Sequence, residues 1–314
     1  MQKRKLGDTG ETVTAVGYGA WAIGGLGYGP QDDRAAMEAI RCYLDGGGRF
    51  IDTARGYGVS EILVGKALQE FDAADEVYVA SKSGAKLGAI VRTDLENSRF
   101  CLQRDTIDLY YVHVPPKDPD DLKHLLDAYQ QLKEAGKIRH IGVSCLNPDD
   151  PSNIEHTYGV IEDERVDVIQ VVYSIARPML SDLITKARER GIGVVARMNL
   201  EGGFLTGKYR PGHVFEDTEN DWRAQIPRDR LDAMIRSAME MSQRCVNPPY
   251  ENLAQVALSF ALSHPGVSAI IPGGRSTEQV RANLAVDALP PLSESLQEQL
   301  IQAAEPLRIA RVNR

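Results

Sequence analysis

Short apolar runs alternate with longer amphipathic stretches through most of this chain. The apolar runs fall at 15–19, 49–52, 77–81, 107–112, 138–143, 168–171, 193–196 and 267–271. Several are apolar at nearly every position, as strands are when both faces of a sheet are covered. Between them, apolar residues recur at helical spacing, for example over 32–44, 61–71, 93–103, 121–134 and 179–190. Glycines close several of these stretches, as at Gly46, Gly136 and Gly191. Eight strand–helix units in succession predict an α/β fold, a (β/α)8 TIM barrel. A doubly wound open sheet is the alternative. It is weakened because no GxGxxG with an acidic partner follows the first strand.

Residues 3–14 read as an N-terminal β-hairpin turning at Gly7-Asp8-Thr9-Gly10, and 293–304 as an extra C-terminal helix. Residues 201–229 form a long segment rich in Gly, Pro and charge after the seventh strand, at the end of a barrel where chemistry is done. No repeat, low-complexity tract or linker divides residues 1–314, so one domain is expected.

Composition narrows the functional classes. The net charge is −8, and no basic stretch with interleaved aromatics appears, so nucleic acid is not an expected partner. No apolar run approaches the ~18 residues of a membrane helix. The N-terminus, MQKRKLGDTGETV, is polar and unlike a secretory signal. Four cysteines, Cys42, Cys101, Cys145 and Cys245, are far apart and suggest neither a metal site nor a disulfide framework. A cytoplasmic protein is expected.

Barrel catalysts cluster at the C-terminal ends of the strands. Here those ends carry Asp52 with Tyr57 just beyond it, Lys82, His113, Ser144 and Gln170-Val171-Val172-Tyr173. Asp, Tyr, Lys and His form a coherent set. A phenol titrates near ~10, too high for an efficient acid at neutral pH. A lysine nearby favours the phenolate, an aspartate holds the lysine, and a histidine orients a carbonyl by hydrogen bonding. Each residue alone has a plainer reading: a helix cap or ion pair for Asp52, a packed loop aromatic for Tyr57, a structural imidazole for His113. Lys82 alone is also compatible with Schiff-base chemistry.

The segment DTARGYGVSEILVGKAL resembles the strand-two signature of the aldo-keto reductase superfamily, with Asp52 and Tyr57 at tetrad positions. VYVASK and DLYYVH supply Lys82 and His113. GKIRHIGVS, GGFLTGKY and IIPGGRSTEQVRANL are similar to further family segments, and the resemblance runs from residue 3 to about 290. It implies an oxidoreductase that uses NADPH/NADP+, reducing an aldehyde or ketone reversibly with Tyr57 as proton donor. The expected partner is a small-molecule carbonyl or alcohol. The resemblance further implies that Tyr173 stacks on the nicotinamide while Ser144 and Gln170 bond its carboxamide. Leu200, Gly202, Gly203 and Lys208 match the loop over the pyrophosphate; Gly273, Arg275, Gln279 and Asn283 match the adenosine-binding part. Arg275 can pair with a 2′-phosphate and so select NADP. Trp21 resembles a substrate-pocket aromatic, with core packing as its other reading.

Two positions depart from the family pattern. The usual Ser-Asn after strand five is Ser144-Cys145, which loses an amide or moves its contact, for instance to Asn147. The usual Tyr-Ser-Pro-Leu after strand seven is Arg197-Met198-Asn199-Leu200, bringing a positive charge close to the cofactor. Two competing functions follow from the same residues: a non-catalytic, redox-sensing subunit that binds NADPH, and a lyase acting through Lys82.

Overall fold

The computed structural model describes residues 1–29, 31–305 and 307. A hairpin of β1 (Lys3–Lys5) and β2 (Thr12–Thr14) comes first. Eight parallel strands follow: β3 (Tyr18–Gly19), β4 (Phe50–Asp52), β5 (Tyr78–Ser83), β6 (Ile107–Val112), β7 (Ile138–Ser144), β8 (Val168–Val172), β9 (Gly193–Arg197) and β10 (Ala269–Ile270). Each pairs with the next, and parallel bridges from Val16 to Ile270 and from Gly19 to Gly273 join the first strand to the last. The sheet thus curls into the expected (β/α)8 barrel.

The helices form the outer ring: α1 (Asp33–Asp45), α2 (Ser60–Glu70), α3 (Gly88–Leu102), α4 (Pro119–Glu134), α5 (Pro151–Val160), α6 (Ser181–Glu189), α7 (Arg228–Cys245), α8 (Leu253–Ser263), α9 (Thr277–Leu284) and α10 (Glu294–Ala303). Their starts are written in the sequence. Asp32 accepts from Ala35 N at 2.9 Å, Asp118 and Asp150 cap α4 and α5 just ahead of Pro119 and Pro151, and Ser276 caps α9. Such residues satisfy amides that have no partner inside the helix. The described tail helix ends one residue short of expectation, at Ala303.

Helices α5, α7 and α8 were not among the helical stretches read from the pattern. Helix α8, LAQVALSFALS, is buried on nearly all sides, so it shows no amphipathic period. Helix α7 begins at Arg228, inside the 201–229 segment, which also holds 3-10 turns at Glu201–Thr206 and Trp222–Gln225.

Strand alternation sorts the barrel interior. Phe50, Tyr78, Ala80, Leu109, Tyr111, Val168, Val195 and Ala269 form one buried cluster inside the barrel, and Leu6 and Val13 of the hairpin join it from below. Residues two further along the same strands share that inward phase. These are Asp52, Lys82, His113, Gln170 and Arg197, while Ser144 is in phase with Gly142 beside Tyr111. The period of two therefore aims these side chains at a single mouth.

Candidate active site

Lys82 stands at the centre of the mouth, fully buried at 0% exposure, and Asp52 beside it is 2% exposed. The Lys82 ammonium donates to Asp52 Oδ1, and to the Thr53 carbonyl at 2.8 Å. Gln170 Nε2 donates to the other Asp52 oxygen at 2.8 Å. Burial pushes the Asp52 carboxyl up, opposed by Lys82 and Gln170. A buried charge needs such partners to be tolerable.

Tyr57 lies on the turn after β4, closed by bonds from Tyr57 N to Ala54 O and from Ser60 N to Tyr57 O, both 3.0 Å. The buried Ser60 hydroxyl reaches Thr53 at 2.8 Å and the Ala20 carbonyl at 2.8 Å, fixing the turn against the first loop. Glu61, buried in the first turn of α2, accepts from Ser81 at 2.6 Å and ties the turn to β5. The Lys82 ammonium sits 4.9 Å from the Tyr57 ring centroid, and the Tyr57 hydroxyl lies 3.5 Å from His113 Nε2. The four residues therefore meet, with phenol and imidazole edge to face at 5.4 Å. Trp21 packs 6.3 Å from Tyr57 and 5.0 Å from Tyr28, which puts it at the mouth and not in the core.

His113 is held neutral. Burial and the charges of Lys82, Arg197 and Lys86 lower it to about 3. Its folded pKa lies below the unfolded value near ~6.5, so its contribution to stability is present above that value and is lost as pH falls toward the folded one. We expect the Nε2 signal of His113 in nitrogen-15 spectra to show no titration between pH 5 and pH 8. A midpoint near 6.5 would contradict this electrostatic picture.

Other expected contacts are placed differently. Tyr173 is turned away from the mouth. It is out of phase with Gln170, 3% exposed, and stacks on Phe260 at 5.5 Å beside His264. An aromatic held in the helix layer has no open face for a nicotinamide, so that assignment is corrected. The Gln170 amide, expected on the cofactor, is engaged by Asp52. Cys145 also faces outward; it is buried and its thiol is pushed up to about 12 by burial. A thiol so held is inert. Asn147 Oδ1 accepts from Arg177 Nη1 at 3.0 Å. Arg177 in turn binds both oxygens of buried Glu201, at 3.0 and 2.8 Å. Sequence reasoning missed this buried pair; only its ends, a loop Arg and a loop Glu, were visible.

A second cluster lies beside the mouth. Gly202 and Gly203 adopt left-handed backbone (φ 68° and 94°). Leu200 is half-buried and Lys208 exposed nearby. Partial loss of water around its ammonium and the charges of Arg223 and Arg275 lower Lys208. Arg275 donates to Gln31 Oε1 at 2.9 Å and to the Tyr28 carbonyl at 2.5 Å. Gln279 Oε1 accepts from Arg275 N at 2.8 Å, and Asn283 Nδ2 donates to the Gly273 carbonyl at 3.0 Å. Both amides thus brace the Gly273–Arg275 turn. A Cβ on Gly273 would meet the Gly19 carbonyl at 3.4 Å. Converging cations, a bare backbone turn and the capped start of α9 suit a dianionic phosphate ligand.

Comparison with known proteins agrees with this geometry. The model of the aldo/keto reductase family matches residues 15–305. Aldo-keto reductase YhdN of Bacillus subtilis (strain 168) is 32% identical, over 90% of this chain and 87% of its own. The NADH-specific methylglyoxal reductase of Escherichia coli (strain K12) is 30% identical over 91% of this chain and 93% of its own. Among solved structures, the holo form of aldo-keto reductase AKR11C1 from Bacillus halodurans superposes with a TM-score of 0.76 at 25% identity, covering 97% of this chain and 96% of that one. Glycerol dehydrogenase AKR11B4 from Gluconobacter oxydans gives 0.78 at 25% identity, covering 98% and 96%. Among the described residues no helix is long and apolar enough to cross a membrane. Matched over nearly its whole length, the chain belongs to the aldo/keto reductase family of oxidoreductases.

Proposed function

We propose that the protein is an NADP(H)-dependent carbonyl reductase, running in reverse as an alcohol dehydrogenase, with Tyr57 as its acid. The observation that carries this reading is the meeting of the Tyr57 hydroxyl with neutral His113 at 3.5 Å, over the buried Lys82–Asp52 pair. Tyr57 donates its proton to the carbonyl oxygen. His113, uncharged, donates from Nε2 to the same oxygen and orients it. The Lys82 ammonium beside the ring stabilises the phenolate that forms, and Asp52 with Gln170 holds the ammonium in register. The nicotinamide, when bound, supplies the hydride. Ser144 and the Leu200–Lys208 loop would hold its near end, and Gly273, Arg275, Gln279 and Asn283 its adenosine end. Trp21 lines the substrate side. A cytoplasmic location accords with four free cysteines.

Purified protein with benzaldehyde and NADPH should consume the cofactor and form benzyl alcohol. Quenching of Trp fluorescence by NADPH without product from a carbonyl panel would favour a sensor subunit instead. Arg275 carries the choice of NADP. Arg275→Met should raise the Kd for NADPH by about 10- to 100-fold, the worth of a charged hydrogen bond. The Kd for NADH should move less than threefold. Equal losses for both cofactors would show that Arg275 acts only by bracing Tyr28 and Gln31.

A further inference from the structure

The loop after β9 carries more left-handed backbone than L-residues adopt freely. Met198 has φ 62° and Glu201 φ 50°, and Gly202 and Gly203 follow at 68° and 94°. The glycines take this region without steric penalty, but Met198 and Glu201 do not. A residue held there persists only where its surroundings fix it. The surroundings of Glu201 do so. Arg177 grips both carboxylate oxygens in a forked pair, and the Ser174 hydroxyl donates to Oε1 as well. Glu201, Arg177 and Ser174 are all buried. The Glu201 amide donates to the Met198 carbonyl at 2.9 Å, and Gly203 N donates to the Leu200 carbonyl at 2.9 Å. With its side chain anchored, Glu201 fixes where the Gly202–Gly203 turn begins.

Arg177 reaches further. It lies in the loop after β8, where its own amide donates to the Ser174 carbonyl at 3.0 Å. Its Nη1 donates to Asn147 Oδ1 at 3.0 Å and lies 3.6 Å from Asp149 Oδ2, both in the loop after β7. One guanidinium therefore ties the loops after β7, β8 and β9 together. The first of these starts from Ser144 and the last runs through Leu200–Lys208. Both are read above as the hold on the near end of the dinucleotide. The guanidinium and the carboxylate are buried and spent on each other, so the pair acts on a ligand only through the loops it holds.

We propose that Arg177 and Glu201 are positioning residues for the cofactor. The pair pre-forms the left-handed turn at Gly202–Gly203 and locks it to the Ser144 loop, so that grip on the pyrophosphate depends on it. This rests on the reading above that the Leu200–Lys208 loop covers the pyrophosphate. The physical gain is pre-organisation: a turn already ordered in the free protein does not have to be ordered on binding, and affinity rises by that difference. A brace for the barrel as a whole is the competing role.

The test measures the Kd for NADPH by quenching of Trp fluorescence, and backbone hydrogen exchange with and without NADPH. In the wild type, saturating NADPH should slow exchange over both 200–208 and 273–283. Arg177→Met alone leaves Glu201 buried without its counter-charge and can unfold the chain. The double variant Arg177→Met, Glu201→Met removes both buried charges and keeps the fold measurable. Arg177→Lys keeps the charge but not the fork. We expect the double variant to bind NADPH about ten- to a hundredfold more weakly, and Arg177→Lys about three- to tenfold. Without cofactor, residues 201–207 of the double variant should exchange at least about tenfold faster than in the wild type, while 273–283 keep their rate. A double variant that binds NADPH within threefold of the wild type overturns the proposal. So does faster exchange spread equally over 201–207 and 273–283, which is the signature of a general brace. If the double variant does not fold, Arg177→Lys decides: wild-type Kd and wild-type exchange at 201–207 overturn the proposal. If NADPH fails to bind the wild type, or leaves 200–208 unprotected there, the cofactor reading fails first and the proposal falls with it.

Discussion

Replacing Tyr57 by Phe is expected to lower kcat for benzaldehyde reduction by about 10²- to 10⁴-fold, the range a positioned general acid supplies. The affinity for NADPH should stay within twofold. Among the described residues, the hydroxyl makes one side-chain hydrogen bond, with His113 Nε2 at 3.5 Å, and the turn that presents it is held by backbone bonds and by Ser60. Phe keeps the ring against Trp21 and beneath the Lys82 ammonium, so geometry survives while the proton is lost. A stopped-flow measurement of the chemical step is the direct check. Turnover within threefold of wild type would move the acid to another group.

Lys82→Met is expected to be the most damaging single change to the fold at this end of the barrel. It strips Asp52 of its ammonium while leaving the carboxyl 2% exposed, with only Gln170 as donor. Breaking a buried pair in this way costs about 3–5 kcal/mol. The sign of the pH dependence follows. Burial already pushes Asp52 up, and without Lys82 its folded pKa rises further above the unfolded value of about 3.9. A raised folded pKa leaves stability intact below the unfolded value and removes it as pH rises through the folded one. The deficit in urea unfolding should therefore be larger at pH 8 than at pH 5. The double variant Asp52→Asn, Lys82→Met should regain most of the loss, because no buried charge is left. A double variant as unstable as Lys82→Met would mean that packing of the lysine stem, not its charge, dominates.

The barrel was legible because its strands are covered on both faces and read as bare apolar runs. Residues 107–112 became β6 without adjustment, and 193–196 became β9 one residue longer. The end strands were overestimated: 15–19 and 267–271 shrank to two residues each. Gly17 and Gly19 at one and Pro272 near the other limit regular pairing, and single bridges complete the seam. Helix α8 escaped notice for the opposite reason to α1, since a helix buried all round has no polar face to mark its period. At the site, a period of two and strand ends sufficed to gather Asp52, Lys82 and His113. Tyr173 failed on that same rule: it lies three residues beyond Gln170, an odd step, and so faces the helices. Arg197, two beyond Val195, was noticed as a departure, but its inward phase needed the exact strand boundary.

The N-terminal hairpin makes the barrel a cul-de-sac. Leu6 and Val13, at 0% and 1% exposure, close its lower end beneath Phe50, Tyr78, Leu109 and Tyr111, and the layer bearing Asp52 and Lys82 lies above them. A small molecule therefore reaches the phenol from one side, since Leu6 and Val13 fill the other. On the proposed mechanism, product leaves by the same opening through which substrate arrives, so the two exclude one another there.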